Sequence, residues 1–142
     1  MPDNISFSYE EVDFRMENTN TLSQWLKSVI KIEGYRLKQI TYIFCSDDYL
    51  LGVNKEYLDH DFFTDIITFD QSDDRKLIEA DIFISVDRVR ENAATNNEQF
   101  DHELRRVMIH GVLHLMGYND KTSEQERQMR KKEDTCLSLH DQ

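Results

Sequence analysis

Proline occurs once and glycine four times in the 142 residues, and no low-complexity tract or linker-like stretch breaks the chain. That scarcity excludes collagenous and linker-rich architectures. Cysteine is equally sparse. Cys45 and Cys136 stand alone, without C-x-x-C spacing or a disulfide-dense pattern, so a reduced cytoplasmic setting and two buried small hydrophobes are expected. No run approaches the roughly 18 apolar residues that a spanning helix needs, so no membrane partner is expected. The stretch from Met1 to Glu10 also lacks the basic segment and apolar core of a signal peptide. Basic charge is missing too. The formal net charge of −11 argues against a generic nucleic-acid binder, whose affinity comes from phosphate neutralisation.

What is present fits one domain spanning residues 1–142, with 39% hydrophobic and 32% charged residues. The acidity is uneven. Residues 1–100 hold 20 acidic and 10 basic side chains, whereas Arg105 to Lys132 holds seven bases against Asp120, Glu124 and Glu126. On charge alone this basic sub-segment is an ordinary solvated helix face. An RNA-facing role for Arg127 to Lys132 gains weight only from the motif that precedes it.

Ile5 to Val12 alternates apolar and polar side chains, as a half-buried strand does. Asn20-Thr21 offers a cap for a helix carrying Leu22, Trp25, Leu26, Val29 and Ile30, closed by Gly34. Leu37 to Cys45 reads as a strand, Ser46-Asp47-Asp48 opens a helix, and Ile66 to Phe69 and Leu77 to Ile84 are two further strands. Ser85 caps a helix that Asn96-Asn97 breaks. Phe100 to Met116 forms a long apolar helix ended by Gly117, and a last helix begins at Ser123 with a Ser123/Glu126 capping box. The order predicts an α+β fold: a single small mixed sheet of about four strands, covered by helices.

The chemistry concentrates in His110-Gly-Val-Leu-His114-Leu-Met-Gly117-Tyr118-Asn119-Asp120. Residues four apart on a helix share one face, so both imidazoles reach one ion. Gly117 permits a left-handed residue that turns the chain back and brings Asp120 in from another direction. Two histidines and a carboxylate leave the fourth zinc position open, the pattern of a catalytic site. The spacing matches the metzincin signature, a zincin-like metal-binding helix, with aspartate in the last place. Gly111 departs from it. Peptidases of that type carry their general-base glutamate there, so peptide hydrolysis by the usual route is disfavoured. A non-haem iron oxygenase shares the two-histidine, one-carboxylate set, but nothing else in the chain supports oxygen chemistry.

The segment His110 to Tyr118 resembles the signature of the bacterial YbeY endoribonucleases, also called rRNA maturation factors. The likeness extends to Asn54-Lys-Glu-Tyr57, Asp61, Thr64 to Phe69, Ala80 to Ala93 and Glu103-Leu-Arg-Arg-Val, and spans about residues 37–135. It implies a compact α+β fold with a four-stranded sheet and one Zn²⁺ per chain, held by His110, His114 and Asp120. It implies single-strand-specific cleavage that matures the 3′ end of small-subunit ribosomal RNA, with a role in ribosome quality control. The implied partners are single-stranded ribosomal RNA and the small ribosomal subunit. A ribosome assembly factor with a mainly structural metal site is the competing reading.

Two positions depart from the family. Asp120 stands where histidine is usual, which lowers the effective charge of a bound ion. Leu58 stands where an arginine commonly follows the tyrosine, which leaves Arg88, Arg105 or His60 to meet the phosphate. Among other candidates, His60 reads as an exposed loop histidine, and His102 and His140 read as solvated. Tyr118 is either a packed turn aromatic or a group that stacks a base or orients metal-bound water. Phe62-Phe63 reads as core or rim packing, with base stacking as the alternative.

Overall fold

The computed structural model describes residues 4–140; residues 1–3 and 141–142, with the first part of the stretch read for a signal peptide, lie outside the described residues. The elements run β1 (Ile5–Glu10), α1 (Thr19–Ile32), β2 (Arg36–Cys45), α2 (Asp47–Leu58), β3 (Ile66–Asp70), β4 (Leu77–Ser85), α3 (Val86–Thr95), α4 (Phe100–Leu115) and α5 (Ser123–His140). The strands form one mixed sheet in the order β1-β2-β4-β3. β1 and β4 lie parallel to β2, and β3 lies antiparallel to β4, with Ile66 opposite Ile84.

Alternation along the strands splits the core. Ile40, Tyr42 and Phe44 of β2 and Ile78, Ile82 and Ile84 of β4 join the main cluster, together with Leu26, Val29 and Ile30 of α1 and Met108, Ile109 and Val112 of α4. A smaller cluster sets Leu50 and Val53 of α2 against Cys45 and Ile67. Both cysteines are buried and free, and burial pushes their thiols up to about 12 for Cys45 and about 11 for Cys136, so neither is a nucleophile. Among the described residues no helix is long and apolar enough to cross a membrane.

Two caps differ from the sequence reading. α1 starts at Thr19 because Asn18 adopts a left-handed conformation (φ 55°), and no side chain caps it; Asn20-Thr21 already lies inside the helix. At α5 the reciprocal capping pair is Thr122 with Gln125. Gln125 N–H donates to Thr122 Oγ1 (3.1 Å) and Thr122 N–H donates to Gln125 Oε1 (3.2 Å). Thr122-x-x-Gln125 satisfies the same rule one residue earlier than Ser123-x-x-Glu126. Elsewhere the start signals hold: Ser46 and Ser85 accept from Tyr49 and Arg88 N–H and cap α2 and α3.

α4 crosses the sheet closely. A Cβ at Gly111 would stand 3.0 Å from Ile66 Cδ1 and 3.3 Å from Ile82 Cδ1. The position at which a metzincin places its glutamate therefore faces β3 and β4, with no room for a carboxylate that could serve the site.

Candidate metal centre

α4 ends in a Schellman motif. Tyr118 N–H donates to Leu113 O and Gly117 N–H to His114 O, each at 3.1 Å, with Gly117 at φ 95°. This left-handed residue reverses the chain and returns Asp120 to the helix. Asp120 Oδ2 then lies 3.3 Å from His110 Nε2, and Oδ1 lies 3.3 Å from His114 Nε2. The two imidazole centroids are 5.2 Å apart, and one ligand atom from each of the three residues falls within 4.8 Å of the others. Donors about 2.1 Å from a tetrahedral ion are about 3.4 Å from one another, close to the two 3.3 Å separations from Asp120 to the imidazoles. This group can hold a metal ion, and it is the set named from the sequence.

A carboxylate from α5 completes the arrangement. His110 Nδ1 lies 2.7 Å from Glu133 Oε2, and Glu133 Oε1 accepts from Arg106 Nη1 at 2.8 Å. Arg106 Nη2 donates in turn to Asp134 (2.6 Å). Glu133 is 5% exposed and Arg106 7%. With Glu133 ionised, the His110 proton sits on Nδ1 and the Nε2 lone pair faces Asp120, the histidine orientation a metal requires. Burial alone would depress the His110 pKa, but the hydrogen bond and charge of Glu133, with Asp120 and Asp65, hold it above its ordinary value. The carboxylates of Asp120, Glu133 and Asp65 thus surround His110 with negative charge, which favours a cation.

The triad forms one wall of a cleft of about 660 Å³, with Asn54, Leu58, His60, Phe62, Thr64, Asp65 and β3 opposite. Phe62 is 55% exposed, and His60 stacks on it at 5.1 Å. Buried Asn54 holds this rim by donating to the Phe62 carbonyl (2.9 Å). Phe62 lies on the cleft rim and Phe63 is exposed under Arg88, so the core alternative fails for both. Asp65 is half-buried and lines the cleft beside the triad. Desolvation raises its pKa against the opposing effect of His110, the backbone N–H groups of residues 65 and 66, and Arg88.

The remaining candidates scatter. Arg88 is tied to Asp47 (2.7 Å) and Glu91 (3.3 Å) and lies over Phe63, outside the cleft lining. Arg105 faces a different cavity. His60 alone of the three proposed substitutes for the missing arginine lies on the cleft, and no lysine or arginine is among its described lining residues. Tyr118 is a packed turn aromatic. Its hydroxyl donates to Glu33 (2.8 Å), which Lys132 also engages. The basic stretch of α5 is not a continuous patch, since Arg127 pairs with Glu124 and Lys132 with Glu33. His140 differs from the solvated residue expected of its position, because its ring packs edge-on against Trp25 at 5.1 Å. His102 lies 3.5 Å from Glu98.

Sequence reasoning missed Glu133 and assigned no role to Asp65. For Asp65 the signal was a lone carboxylate opening an apolar strand. For Glu133 it was an acid that directly follows the bases Arg130, Lys131 and Lys132 and precedes Asp134.

A sequence model described as Endoribonuclease YbeY matches residues 4–140. A protein of Flavobacterium psychrophilum named Endoribonuclease YbeY is 50% identical over 135 residues, 95% of this chain and 95% of that one. Its namesake from Cytophaga hutchinsonii is 47% identical over 135 residues, covering 95% and 94%. Among solved structures, a Thermotoga maritima protein determined in solution superposes with a TM-score of 0.65 at 24% identity, over 94% of this chain and 88% of that one, a likeness of fold. A match over nearly the whole described length, with the triad geometry beside it, establishes that this chain belongs to the YbeY endoribonuclease family.

Proposed function

We propose that the protein is a zinc-dependent, single-strand-specific endoribonuclease that matures the 3′ end of small-subunit ribosomal RNA and serves ribosome quality control. The observation that carries this reading is the His110–His114–Asp120 group at the wall of an open cleft, with Glu133 fixing His110. α4 acts as a zincin-type metal helix, one Zn²⁺ binds per chain, and the protein works in the cytoplasm on the small ribosomal subunit.

Zinc held there supplies Lewis acidity toward a phosphoryl oxygen and toward water. The chain's own groups do the rest. His110 and His114 turn Nε2 toward Asp120, which lies 3.3 Å from each, so the three can converge on one ion. Phe62, exposed at the rim with His60 stacked on it, offers a face to a base, which only an unpaired nucleotide can present. Asp65, whose pKa burial raises, lines the cleft beside the triad, where it can exchange a proton with a departing oxygen. Among the described lining residues there is no lysine or arginine, so positive charge toward a phosphate comes from the ion and from the cleft histidines.

The deciding experiment is incubation of zinc-loaded protein with single-stranded RNA, the matching duplex and unprocessed small-subunit RNA ends. Cleavage of the single strand and of the ribosomal end, with the duplex spared, is expected. No cleavage of any substrate would favour the assembly-factor reading, which the absence of a cleft arginine supports.

Two variants probe the departures from the family. Leu58 lines the cleft and is 40% exposed, so Leu58→Arg can turn a guanidinium toward the phosphate without burying it. A donor in an optimised site contributes on the order of a hundredfold in rate, and one without evolved support is expected to give about tenfold, read as kcat/KM on single-stranded RNA. No gain beside robust wild-type cleavage would mean another group fills the role. Asp120→His is expected to retain stoichiometric zinc while raising the site's net charge by one unit. Water at the ion is then more acidic, and the activity profile moves to lower pH. A shift to higher pH would contradict this electrostatic account.

A further inference from the structure

We propose a second anion site, remote from the metal centre, in which Arg15 and Arg105 bind a phosphate group in a cavity of about 570 Å³. This cavity shares no lining residue with the metal cleft. Arg105 precedes His110 by five residues on α4, which turns it about 140° around the helix from that imidazole.

Three observations point to an anion. The Arg105 Nε atom is buried with no acceptor among the described residues, so the donors this side chain can offer a ligand are those of its outer guanidinium nitrogens, at the cavity lining. Arg15 is positioned by its own contacts, donating from Nη1 to Phe14 O (2.7 Å) and lying 4.5 Å from the centre of the Tyr9 ring, which leaves further donors free. Neither guanidinium is ion-paired among the described residues, although the chain has 28 acidic against 17 basic side chains and Glu17 and Asp101 line the same cavity. The first turn of α1 opens there as well. It has no side-chain cap and no acidic residue, and Asn18 and Thr21 belong to the lining. Its unpaired backbone N–H groups add positive potential beside the two arginines. Two planar guanidinium forks with a helix amino end suit the tetrahedral oxygens of a phosphate.

The phosphate belongs to a free nucleotide or to an RNA strand; only the second source rests on the nuclease reading. The test is calorimetric titration of the intact, zinc-loaded protein with adenosine 5′-monophosphate and with adenosine. Saturable binding of the monophosphate and none of the nucleoside are expected. Arg15→Gln and Arg105→Gln should each weaken the monophosphate about tenfold, with Arg105→Lys recovering part and Arg130→Gln leaving it unchanged. Should Arg105→Gln fail to fold by circular dichroism, Arg15→Gln, at an exposed position, carries the test. Binding of a ten-nucleotide single strand, measured in a His110→Ala/His114→Ala background that prevents cleavage, separates the sources. A parallel loss in the arginine variants assigns the site to the RNA backbone, and unchanged RNA affinity assigns it to a free nucleotide. Absence of monophosphate binding, or binding indifferent to both arginine substitutions, would overturn the proposal and leave the nuclease reading where the cleavage assay puts it.

Discussion

The His110→Ala/His114→Ala variant is expected to lose its zinc and its cleavage of single-stranded RNA together while keeping its fold. Both side chains reach solvent, 22% exposed for His110 and 36% for His114, so truncation opens no sealed cavity. Glu133 retains Arg106 as its partner at 2.8 Å, so no buried charge is stranded. Asp120 alone cannot hold a divalent ion against water. A bound metal commonly contributes several kcal/mol of transition-state stabilisation, which at 1.36 kcal/mol per decade is on the order of a thousandfold or more in rate. Metal analysis of the purified variant, its circular dichroism spectrum and an RNA cleavage assay read the three quantities separately. Stoichiometric zinc in the variant would place the site elsewhere, and undiminished cleavage without zinc would remove the metal from the chemistry.

The parts of this centre that were legible in the sequence are the local ones. Helical spacing fixes the His110/His114 pair. The left-handed glycine and its two capping hydrogen bonds fix where the chain turns, within seven residues of Leu113. The four strands were legible for the same reason, because alternation along β2 and β4 follows directly from which side chains face the core. Partnerships across elements were not. Arg106 and Glu133 are 27 residues apart and meet only because α5 packs along α4, so Arg106 was counted as part of a basic face when it is internally neutralised. Arg88, Arg105 and His60 were indistinguishable as stand-ins for the missing arginine, because the direction a side chain takes depends on the packing of its element. The two displaced helix starts have another cause. Thr122 and Ser123 both obey the capping-box rule, and a left-handed Asn18 leaves no side-chain signature to find.

Glu133 is the residue whose loss should reach furthest, because one carboxylate serves two dependents. Its Oε1 neutralises a guanidinium with little access to water, and its Oε2 holds the His110 proton at Nδ1. Removing one partner of a buried ion pair costs about 3–5 kcal/mol. Glu133→Ala leaves Arg106 only Asp134, whose side chain is 60% exposed, so a loss near the low end, about 3 kcal/mol, is expected. For a chain of this length that corresponds to roughly 10 °C in Tm. Glu133→Gln separates the two duties. The amide is nearly isosteric and its single carbonyl can accept from Arg106 or from His110, but not with the strength of an ionised carboxylate. If it turns that carbonyl to Arg106, the His110 Nδ1–H loses its acceptor, the ring is no longer held with Nε2 toward Asp120, and zinc affinity falls by about 10- to 100-fold. The glutamine variant should therefore melt closer to the parent than the alanine variant does, yet bind zinc distinctly more weakly than the parent. Thermal melting of the zinc-free forms isolates the first effect, and competition for zinc with a chelator isolates the second. Parent-like zinc affinity in both variants would reduce Glu133 to a partner of Arg106 alone, and the orientation of His110 would then have to come from Asp120.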